Sequence, residues 1–283
     1  MTNDETELRE NNSPSAQPED SGGNPEKHQR RDAGQPDTRL SGKTALITGA
    51  ARRVGAAIAR ILHGAGANVV LHYRSSADDA ADVARELNTA RPESARLVSG
   101  DLLEIDKLPE LAHAAAEAFG GLDILVNNAS SFYPTPVGDI TAMDWDDLIG
   151  TNLKAPLFLT QAAAPALHSR HGLVINLADI HGMRPLRRYP VYSIAKAGLI
   201  MLTRSLAREL GPHVRVNAIA PGPVMWPEDG MDSALQAEIV DRTALKRTGS
   251  ASDVARAALF FAAEAPYVTG QILAVDGGRS IGW

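Results

Sequence analysis

From residue 43 onward, short runs of apolar residues alternate with longer stretches whose apolar positions recur every three to four residues. The short runs predict β-strands, because they have strand length and are rich in valine, isoleucine and leucine. Strands are predicted at residues 44–48, 68–72, 95–99, 122–127, 173–177, 215–220 and 272–275. The longer stretches predict amphipathic helices. Helices are predicted near residues 54–65, 77–89, 105–119, 144–169, 190–210, 233–244 and 252–264.

Strands that alternate with helices are typical of a parallel sheet covered by helices on both faces. The run Ile-Leu-Val at residues 124–126 fits such a sheet, because it has no polar residue to mark an exposed face. No internal repeat of solenoid length is visible. The sequence therefore predicts one α/β domain at residues 41–283, with a doubly wound, Rossmann-type fold around a parallel seven-stranded sheet.

Residues 1–40 differ from the rest of the chain in composition. They contain nine acidic and five basic residues, a net charge of −4, which leaves −2 of the total −6 for the other 243 residues. They contain no valine, isoleucine or aromatic residue. Such a segment cannot bury enough apolar surface to offset its ordering entropy, so it is predicted to be a disordered N-terminal extension. A partner-binding tail is the alternative to a purely solvated extension.

Composition excludes several classes of function. The net charge of −6 gives no basic excess for a nucleic-acid backbone to attract. No apolar stretch is long enough to span a bilayer, so no membrane span is expected. The absence of cysteine excludes disulfides, thiolate metal sites and a cysteine nucleophile, and no metal site is predicted. The acidic start lacks the apolar core of a secretory signal, so a cytoplasmic location is expected.

The turn after the first predicted strand reads Thr-Gly-Ala-Ala-Arg-Arg-Val-Gly at residues 48–55. A tight turn between a first strand and a helix directs backbone N–H groups at a pyrophosphate, which suggests a dinucleotide site rather than an ordinary connection. Gly49 would permit the turn and Gly55 the packing of the helix on the sheet. Arg53 stands where this loop commonly has a third glycine. We reason that an arginine there serves to bring a cation to the phosphates or the substrate, not conformational freedom.

The second predicted strand ends in the sequence His-Tyr-Arg-Ser at residues 72–75. An NAD site usually has an acidic residue here, which binds the ribose 2′-hydroxyl. Arg74 and the hydroxyls of Ser75 and Ser76 instead suit a 2′-phosphate, so NADPH is the predicted cofactor, unless Arg74 is only a solvated loop charge. Asp101, which follows the third strand, could accept a hydrogen bond from the adenine amino group or cap a turn.

Tyr192 and Lys196 lie four residues apart and share one face of a predicted helix. A nearby ammonium stabilises a phenolate, so Lys196 is expected to lower the pKa of Tyr192 from about 10 toward about 7. Tyr192 would then act as a proton donor near neutral pH. A tyrosine and a lysine four residues apart are common by chance. The phosphate loop and the Asn-Asn-Ala sequence at residues 127–129 support a catalytic role for this pair.

Across residues 43–283 the chain resembles the short-chain dehydrogenase/reductase family. The resemblance rests on residues 48–55, 127–129, Asn152, Tyr192, Lys196 and Pro221-Gly222, which fall in the family's order and spacing. It implies a Rossmann-type fold, a nicotinamide cofactor and a homotetramer. It also implies that Tyr192 donates a proton, that Lys196 holds the ribose and tunes Tyr192, and that Asn152 supports a water relay to Lys196. The implied cofactor-binding set is Gly49, Arg53, Val54, His72, Tyr73, Arg74, Ser75, Asp101, Leu102, Asn128, Ala129, Ser130, Tyr192, Lys196, Pro221 and Gly222.

Two positions depart from the common family pattern. The family's catalytic serine lies 13 residues before the tyrosine, and here that position is Asp179. A carboxylate would repel the oxyanion that forms in carbonyl reduction, but it can bind an amino-pyrimidine ring or help protonate a nitrogen. Asp179 and Arg53 together resemble the pteridine reductase branch, which reduces C=N bonds of pterins and folates with NADPH.

That resemblance implies a substrate site as well. Phe132 would stack on one face of a pterin ring, since a flat heteroaromatic ring favours an aromatic sandwich. The implied substrate-binding set is Arg53, Ser130, Phe132, Asp179, Leu186, Tyr189, Tyr192, Met225 and Trp226. Each assignment has a structural alternative: Phe132 could pack a loop, Ser130 could cap a turn, and Asp179 could pair with Arg184, Arg187 or Arg188.

The sequence therefore predicts a pteridine reductase in which Tyr192 and Asp179 protonate the substrate nitrogen and Asn152 and Lys196 complete the catalytic set. A carbonyl reductase, for example of 3-oxoacyl thioesters, is the first alternative. A non-catalytic NADPH-sensing scaffold is the second, because a fold alone does not establish activity.

Overall fold

A computed structural model describes residues 37–226 and 230–282 of the chain. The predicted extension lies almost wholly outside this part, and its disorder stays a prediction for residues 1–36. Leu40, which the prediction placed in the extension, belongs to the folded domain: its side chain is 2% exposed and packs in the core. The backbone N–H of Leu40 donates to the carbonyl of Ala65 at 2.8 Å. The domain therefore starts a few residues earlier than predicted.

The strands and helices follow the predicted order closely. The strands are β1 (Thr44–Ile47), β2 (Asn68–Tyr73), β3 (Ala95–Ser99), β4 (Ile124–Asn127), β5 (Leu173–Leu177), β6 (Arg215–Pro221) and β7 (Ile272–Val275). The helices are α1 (Arg53–Gly64), α2 (Ala77–Ala90), α3 (Leu108–Glu117), α4 (Ala142–Ile149), α5 (Ala155–Ser169), α6 (Pro190–Leu210), α7 (Ser233–Asp241) and α8 (Ala251–Ala263). All seven predicted strands are confirmed.

The strands form one parallel sheet in the order β3-β2-β1-β4-β5-β6-β7. The chain runs outward from β1 to β3, then crosses back to β4 on the other side of β1. This reversal creates a crevice at the carboxyl ends of β1 and β4, where doubly wound folds bind their ligands. The predicted doubly wound, Rossmann-type fold is confirmed.

Helices cover both faces of the sheet, so its central strands are buried on both sides. Neighbouring residues of one strand therefore belong to different cores: Leu46 packs with Leu125, whereas Ile47 packs with Val126. This explains the unbroken apolar runs in the sequence. Within the described residues, no helix is long and apolar enough to cross a membrane.

The single helix predicted near residues 144–169 is wrong in one respect. The structure has two α-helices, α4 and α5, joined by a turn of π-helix at Gly150–Lys154. The side-chain amide of Asn152 donates to the carbonyl of Leu148 at 2.9 Å. That carbonyl lies four residues earlier and would accept the backbone N–H of Asn152 in an α-helix. The side chain therefore competes for the regular acceptor, and π-turns of this kind are frequent at functional sites.

Candidate active site

Partly buried hydrogen bonds between the ends of β1 and β4 hold the turn between β1 and α1 in place. The hydroxyl of Thr48 accepts the backbone N–H groups of Asn128 and Ala129 at 2.9 and 3.0 Å. The side-chain amide of Asn128 donates back to the carbonyls of Thr48 and Gly49 at 2.8 and 3.1 Å. The predicted residues Asn128 and Ala129 thus fix the phosphate loop to the end of β4.

Both predicted glycines of this loop are required by its geometry. Gly49 has a φ of +61°, a left-handed conformation that favours glycine. A Cβ on Gly55 would lie 2.2 Å from the carbonyl oxygen of Gly49 and 2.6 Å from the side-chain nitrogen of Asn128. The start of α1 can therefore approach the loop only without a side chain at residue 55.

Arg53 overturns part of the sequence reasoning. Its φ is +53°, so this position does require the left-handed conformation that the usual glycine provides. For an arginine this conformation costs about 1–2 kcal/mol. Strain of this kind persists mainly where function repays it. The guanidinium donates to the carbonyl of Trp226 at 3.1 Å, and so joins the phosphate loop to the segment after β6.

The N-terminus of α1 suits a pyrophosphate. Arg52 at the N-cap makes no side-chain capping hydrogen bond, and the first turn contains no acidic residue. Backbone N–H groups at an uncapped helix start are natural donors to an anion, and the helix dipole adds to the attraction. The residues present therefore fit the dinucleotide that the sequence predicts, with Val54 in the first turn of α1.

His72, which the resemblance places in the cofactor-binding set, points into the fold and contacts two backbone groups. Its ring is 2% exposed, with Nδ1 3.3 Å from the backbone nitrogen of Gly49 and Nε2 3.2 Å from the carbonyl of Gly100. Burial lowers its pKa to about 4, so the ring is neutral. A neutral ring satisfies both contacts when Nδ1 accepts from Gly49 and Nε2 donates to Gly100. His72 thus ties the phosphate loop to the turn after β3.

The residues predicted to read the ribose phosphate lie at the surface beside β2. Arg74 and Ser75 are exposed, and the guanidinium of Arg74 lies 3.9 Å from the carboxylate of Asp101. The other oxygen of Asp101 accepts the backbone N–H of Leu103 at 3.0 Å, as the predicted turn cap would. Tyr73 is half-buried and Leu102 is buried.

The centre of the site is a hydrogen bond between Tyr192 and Asp179. The phenol of Tyr192 donates to Asp179 Oδ2 at 2.9 Å. Asp179 Oδ1 accepts the backbone N–H of His181 at 2.7 Å, and Asp179 caps the short 3₁₀ turn Ile180–Gly182. The backbone thereby fixes the carboxylate, and the carboxylate fixes the phenol. The structure does not pair Asp179 with the arginines that the sequence offered as alternatives.

The expected lowering of the Tyr192 pKa is wrong for this structure. Burial raises the pKa of Tyr192 well above its ordinary value, and the charge of Asp179 and its hydrogen bond raise it further. Both effects disfavour a phenolate, because the charged form would be desolvated and repelled. The hydrogen bond with Ser130 acts in the opposite direction but is smaller. Tyr192 is therefore held as a neutral phenol.

Lys196 lies beneath Tyr192 on the same face of α6, as its spacing predicts. The ammonium donates to the carbonyl of Leu177 at 2.8 Å and lies 5.6 Å from the centre of the Tyr192 ring. Lys196 is 3% exposed, and burial lowers its pKa to about 8, although Asp179 acts in the other direction. The lysine is thus the group of this pair that titrates near neutral pH.

Asn152 and Ser130 connect the π-turn to the site. The hydroxyl of Ser130 donates to Asn152 Oδ1 at 2.6 Å, and the amide of Asn152 donates to the carbonyls of Ser131 and Leu148, both at 2.9 Å. The side chain of Asn152 is fully buried. It therefore anchors the loop that carries Ser130, and the predicted water relay to Lys196 stays a prediction.

An aromatic cluster forms the rim of the site. Phe132 is 48% exposed and stacks on Tyr189 with ring centres 4.7 Å apart, and its ring lies nearly perpendicular to that of Tyr192, with centres 4.8 Å apart. The backbone N–H of Leu186 donates to the hydroxyl of Ser193 at 3.1 Å, which fixes the segment before Tyr189 onto α6. The structure thus brings the predicted residues Phe132, Tyr189 and Leu186 to the mouth of the site.

The segment after β6 closes the other side. The backbone N–H of Gly222 donates to the carbonyl of Val275 at 3.0 Å, and a Cβ on Gly222 would lie 2.6 Å from the side chain of Asp276. Gly222 and the half-buried Pro221 therefore fix where the chain leaves the sheet. Met225 is 38% exposed, and Trp226 meets Arg53 through its carbonyl.

Several residues that build the site have no role in the sequence prediction. Thr48 lies in the predicted loop, but only the structure shows its hydroxyl as the acceptor that joins β1 to β4. The carbonyl of Leu177 and the backbone N–H of His181, which bind Lys196 and Asp179, carry no signal in a sequence. Ser193, next to Tyr192, could have been suspected only from its position.

Comparisons with known proteins agree with this geometry. The family described as enoyl-(acyl carrier protein) reductase matches residues 49–280. The chain is similar to pteridine reductase 1 of Leishmania tarentolae, with 36% identity over 278 residues, 84% of this chain and 96% of the relative. It is also similar to a 3-oxoacyl-(acyl-carrier-protein) reductase of Staphylococcus epidermidis, with 35% identity over 240 residues, 83% of this chain and 98% of the relative.

A solved structure extends the comparison to three dimensions. It is described as a blue fluorescent protein from a metagenomic library in complex with NADPH. It superposes with a TM-score of 0.80 and 33% identity, over 85% of this chain and 99% of the other. The fold and the order of the site elements are therefore shared along nearly the whole described domain.

Proposed function

The chain belongs to the short-chain dehydrogenase/reductase family of oxidoreductases, and within it we propose an NADPH-dependent pteridine reductase. Its reaction is the reduction of a C=N bond in a dihydropterin or pterin, with dihydrofolate as a further substrate. The 36% identity to a pteridine reductase supports this proposal, but the 35% identity to a 3-oxoacyl thioester reductase does not separate the two activities. The chemistry of the site favours pterin reduction.

The hydrogen bond from Tyr192 to Asp179, 2.9 Å long, carries the proposal. In carbonyl reduction the substrate oxygen gains negative charge, and stabilisation there comes from donors aimed at that oxygen. A carboxylate beside the phenol opposes this charge. A pterin instead presents N–H and amino donors, which a carboxylate binds well. The same carboxylate keeps Tyr192 protonated, as a proton donor to nitrogen must be.

The reaction balances with one hydride and one proton. When bound, NADPH supplies the hydride to the ring carbon, and the C=N electron pair moves to nitrogen. Tyr192 holds the proton for that nitrogen on its hydroxyl. Asp179 orients the hydroxyl and binds the polar edge of the ring, while Lys196 keeps a positive charge beneath the phenol.

Several features of the cofactor side support NADPH. The exposed guanidinium of Arg74 and hydroxyl of Ser75 follow β2, where an acidic residue would favour NAD. Bidentate guanidinium contacts suit a phosphate dianion. The similar structure that holds NADPH supports the same choice.

Phe132 supports a flat aromatic substrate. Nearly half of its surface is exposed beside Tyr192, although one face already stacks on Tyr189. A pterin would therefore use the remaining face of Phe132 or replace Tyr189. Offset stacking of such rings is worth about 0.5–1.5 kcal/mol beyond the area that it buries.

We also propose an assembly and a location for the protein. A homotetramer in the cytoplasm is what the family resemblance implies. Ile194 and Met201 on α6 are 50% and 58% exposed, and Leu273 on the edge strand β7 is 37% exposed. Exposed apolar side chains on a helix and on an edge strand suit contacts between subunits.

The test compares the turnover of three substrates by the wild-type protein and by one variant. NADPH oxidation would be followed with 7,8-dihydrobiopterin, dihydrofolate and acetoacetyl thioester, in the wild type and in Asp179→Ser. We expect turnover of the pterins, loss of that turnover in Asp179→Ser, and little thioester reduction by the wild type. Thioester reduction with inert pterins would establish the carbonyl reductase instead. Binding of NADPH without turnover of any substrate would favour the NADPH-sensing scaffold.

A further inference from the structure

Between Asp179 and Tyr189 the chain carries a cluster of arginines that the proposed reaction does not use. Arg184, Arg187 and Arg188 bring three of the 28 basic residues into five positions of a chain with a net charge of −6. The sequence offered them as structural partners of Asp179. Asp179 is held instead by His181 and Tyr192.

The three arginines differ in their surroundings. Arg184 donates to the carbonyl of Gly282 at 3.0 Å and so anchors the C-terminal segment. Arg187 and Arg188 are exposed, and neither takes part in an ion pair between residues that the structure describes. Arg188 also has a φ of +72°, a left-handed conformation that favours glycine. Two guanidiniums without an ion pair to any described residue therefore lie side by side, and one of them stands where glycine would be the easier residue.

Their backbone lies at the rim of the substrate site. On one side, the N–H of Leu186 is fixed to the hydroxyl of Ser193, next to Tyr192. On the other side, Tyr189 stacks on Phe132 at 4.7 Å. The carbonyl of Arg188 accepts the backbone N–H of Thr135 at 2.7 Å, which joins the arginines to the Phe132 loop. The arginine pair is thus held between the two aromatic residues and α6.

The orientation of a bound ring points its substituent toward this rim. The side chain of a dihydropterin is attached to the carbon of the C=N bond that is reduced, directly beside the nitrogen that Tyr192 protonates. Tyr192 is 5% exposed and lies next to Phe132 of the rim, whereas Arg187 and Arg188 are exposed. A side chain on that carbon therefore starts beside Phe132 and reaches solvent across the rim.

We infer that Arg187 and Arg188 form a subsite for an anionic side chain of the substrate, either the carboxylates of a glutamyl tail or a phosphate ester. Guanidinium groups bind both anions in a bidentate manner. The inference rests on the proposed pterin reduction and narrows its substrate class to pterins with a charged extension.

The experiment compares three substrates that share the reduced ring: dihydrofolate with a glutamyl tail, dihydroneopterin phosphate with a phosphate ester, and dihydrobiopterin with an uncharged side chain. The double variant Arg187→Gln, Arg188→Gln is measured beside Arg85→Gln, an exposed arginine of α2 paired with Asp82. We expect the double variant to lower kcat/KM for an anionic substrate, relative to dihydrobiopterin, by about five-fold or more, mainly through KM, as loss of exposed charge contacts does. Added salt should weaken the binding of the same anionic substrate to the wild type, and should weaken it less in the double variant.

The outcomes separate this inference from the proposed function. If all three pterins are reduced and the double variant changes none of their ratios, the subsite is absent and the reductase stands. If dihydrofolate alone responds, the ligand is a carboxylate tail; if the phosphate ester alone responds, it is a phosphate. Calorimetric binding of folate, neopterin phosphate and biopterin to the NADP-loaded protein provides a second measurement without turnover. If the wild type and the double variant bind both anionic ligands with equal affinity, the inference is overturned, and failure to bind or reduce any pterin would overturn both proposals.

Discussion

The two sides of the crevice use their polar side chains in opposite ways. On the cofactor side, the side chains of Thr48, His72 and Asn128 point into the fold. They form hydrogen bonds with backbone groups and so hold the phosphate loop in place. On the substrate side, Asp179 and Tyr192 bind each other beside an exposed aromatic rim. The first side presents a shaped backbone, and the second presents reactive side chains.

This difference explains where variation in chemistry can enter. The phosphate loop depends on glycines and on hydrogen bonds from buried side chains, so almost any substitution there disturbs the loop as a whole. On the substrate side the chemistry depends on single side chains, such as Asp179 at the position where the family pattern has a serine. Changes on the substrate side should therefore alter kcat or selectivity, whereas changes on the cofactor side should alter the affinity for NADPH.

Replacing the proton donor should give the largest effect and test the substrate side directly. Tyr192→Phe removes the hydroxyl that Asp179 orients and leaves the ring in place. We expect kcat for the pterin substrate to fall by about 10²- to 10⁴-fold, the usual contribution of a positioned acid, with the Kd of NADPH nearly unchanged. Stopped-flow turnover and NADPH fluorescence would measure the two quantities. Tyr267→Phe, at a fully exposed tyrosine, is the control. Retention of most of the activity in Tyr192→Phe would remove the tyrosine from the mechanism.

The cofactor side should respond to a single added methyl group. In Gly55→Ala the new Cβ would lie 2.2 Å from the Gly49 carbonyl oxygen, so the loop must move. Overpacking of this kind costs about 1–3 kcal/mol, which corresponds to a rise in the Kd of NADPH of up to about 100-fold. Gly64→Ala, at the end of the same helix with nothing within 4 Å of the new Cβ, should leave the Kd unchanged. Equal effects of Gly55→Ala and Gly64→Ala on the Kd of NADPH would contradict the claim that the phosphate loop requires a glycine at residue 55.

The fold could be predicted from the sequence because most strands are short, largely apolar runs and most helices have one apolar face. The exception was the join between α4 and α5. Its apolar periodicity continues through the π-turn, and only the three-dimensional position of the Asn152 amide explains the change in hydrogen bonding.

The candidate site was predicted less evenly. Which residues meet could be read from their positions after each strand, since the carboxyl ends of parallel strands share one edge. What their environment does to them could not. The pKa of Tyr192 depends on its burial and on Asp179, and the inward turn of His72 depends on Gly100, which follows another strand. Neither neighbour is adjacent in sequence.

The pH dependence of turnover sharpens the comparison, because it identifies whether Lys196 or Tyr192 titrates near neutral pH. Burial lowers the pKa of Lys196 to about 8, whereas the pKa of Tyr192 is raised. As pH rises through about 8, Lys196 loses its proton and Tyr192 keeps its own. We expect kcat to fall above pH 8 by about ten-fold per pH unit, as loss of one required proton gives. In Lys196→Arg, which stays charged, the fall should disappear from whatever activity remains. A fall that persists in this variant would assign it to another group.

The smallest expected effect concerns the two hydrogen bonds of His72, and it tests whether this buried side chain, which contacts the phosphate loop from inside the fold, sets the affinity for NADPH. His72→Asn keeps an oxygen near the position of Nδ1, which can accept from the Gly49 N–H, and His72→Gln keeps a donor near Nε2 for the Gly100 carbonyl. Each loses one hydrogen bond, which is worth about 0.5–1.5 kcal/mol, so the Kd of NADPH should rise about three-fold while kcat at saturation stays the same. The loss in His72→Gln should be the greater, since the freed N–H belongs to the phosphate loop itself. Isothermal titration with NADPH measures this order. A reduced kcat with an unchanged Kd in both variants would instead connect His72 to the reactive side, and the division between the two sides of the crevice would fail.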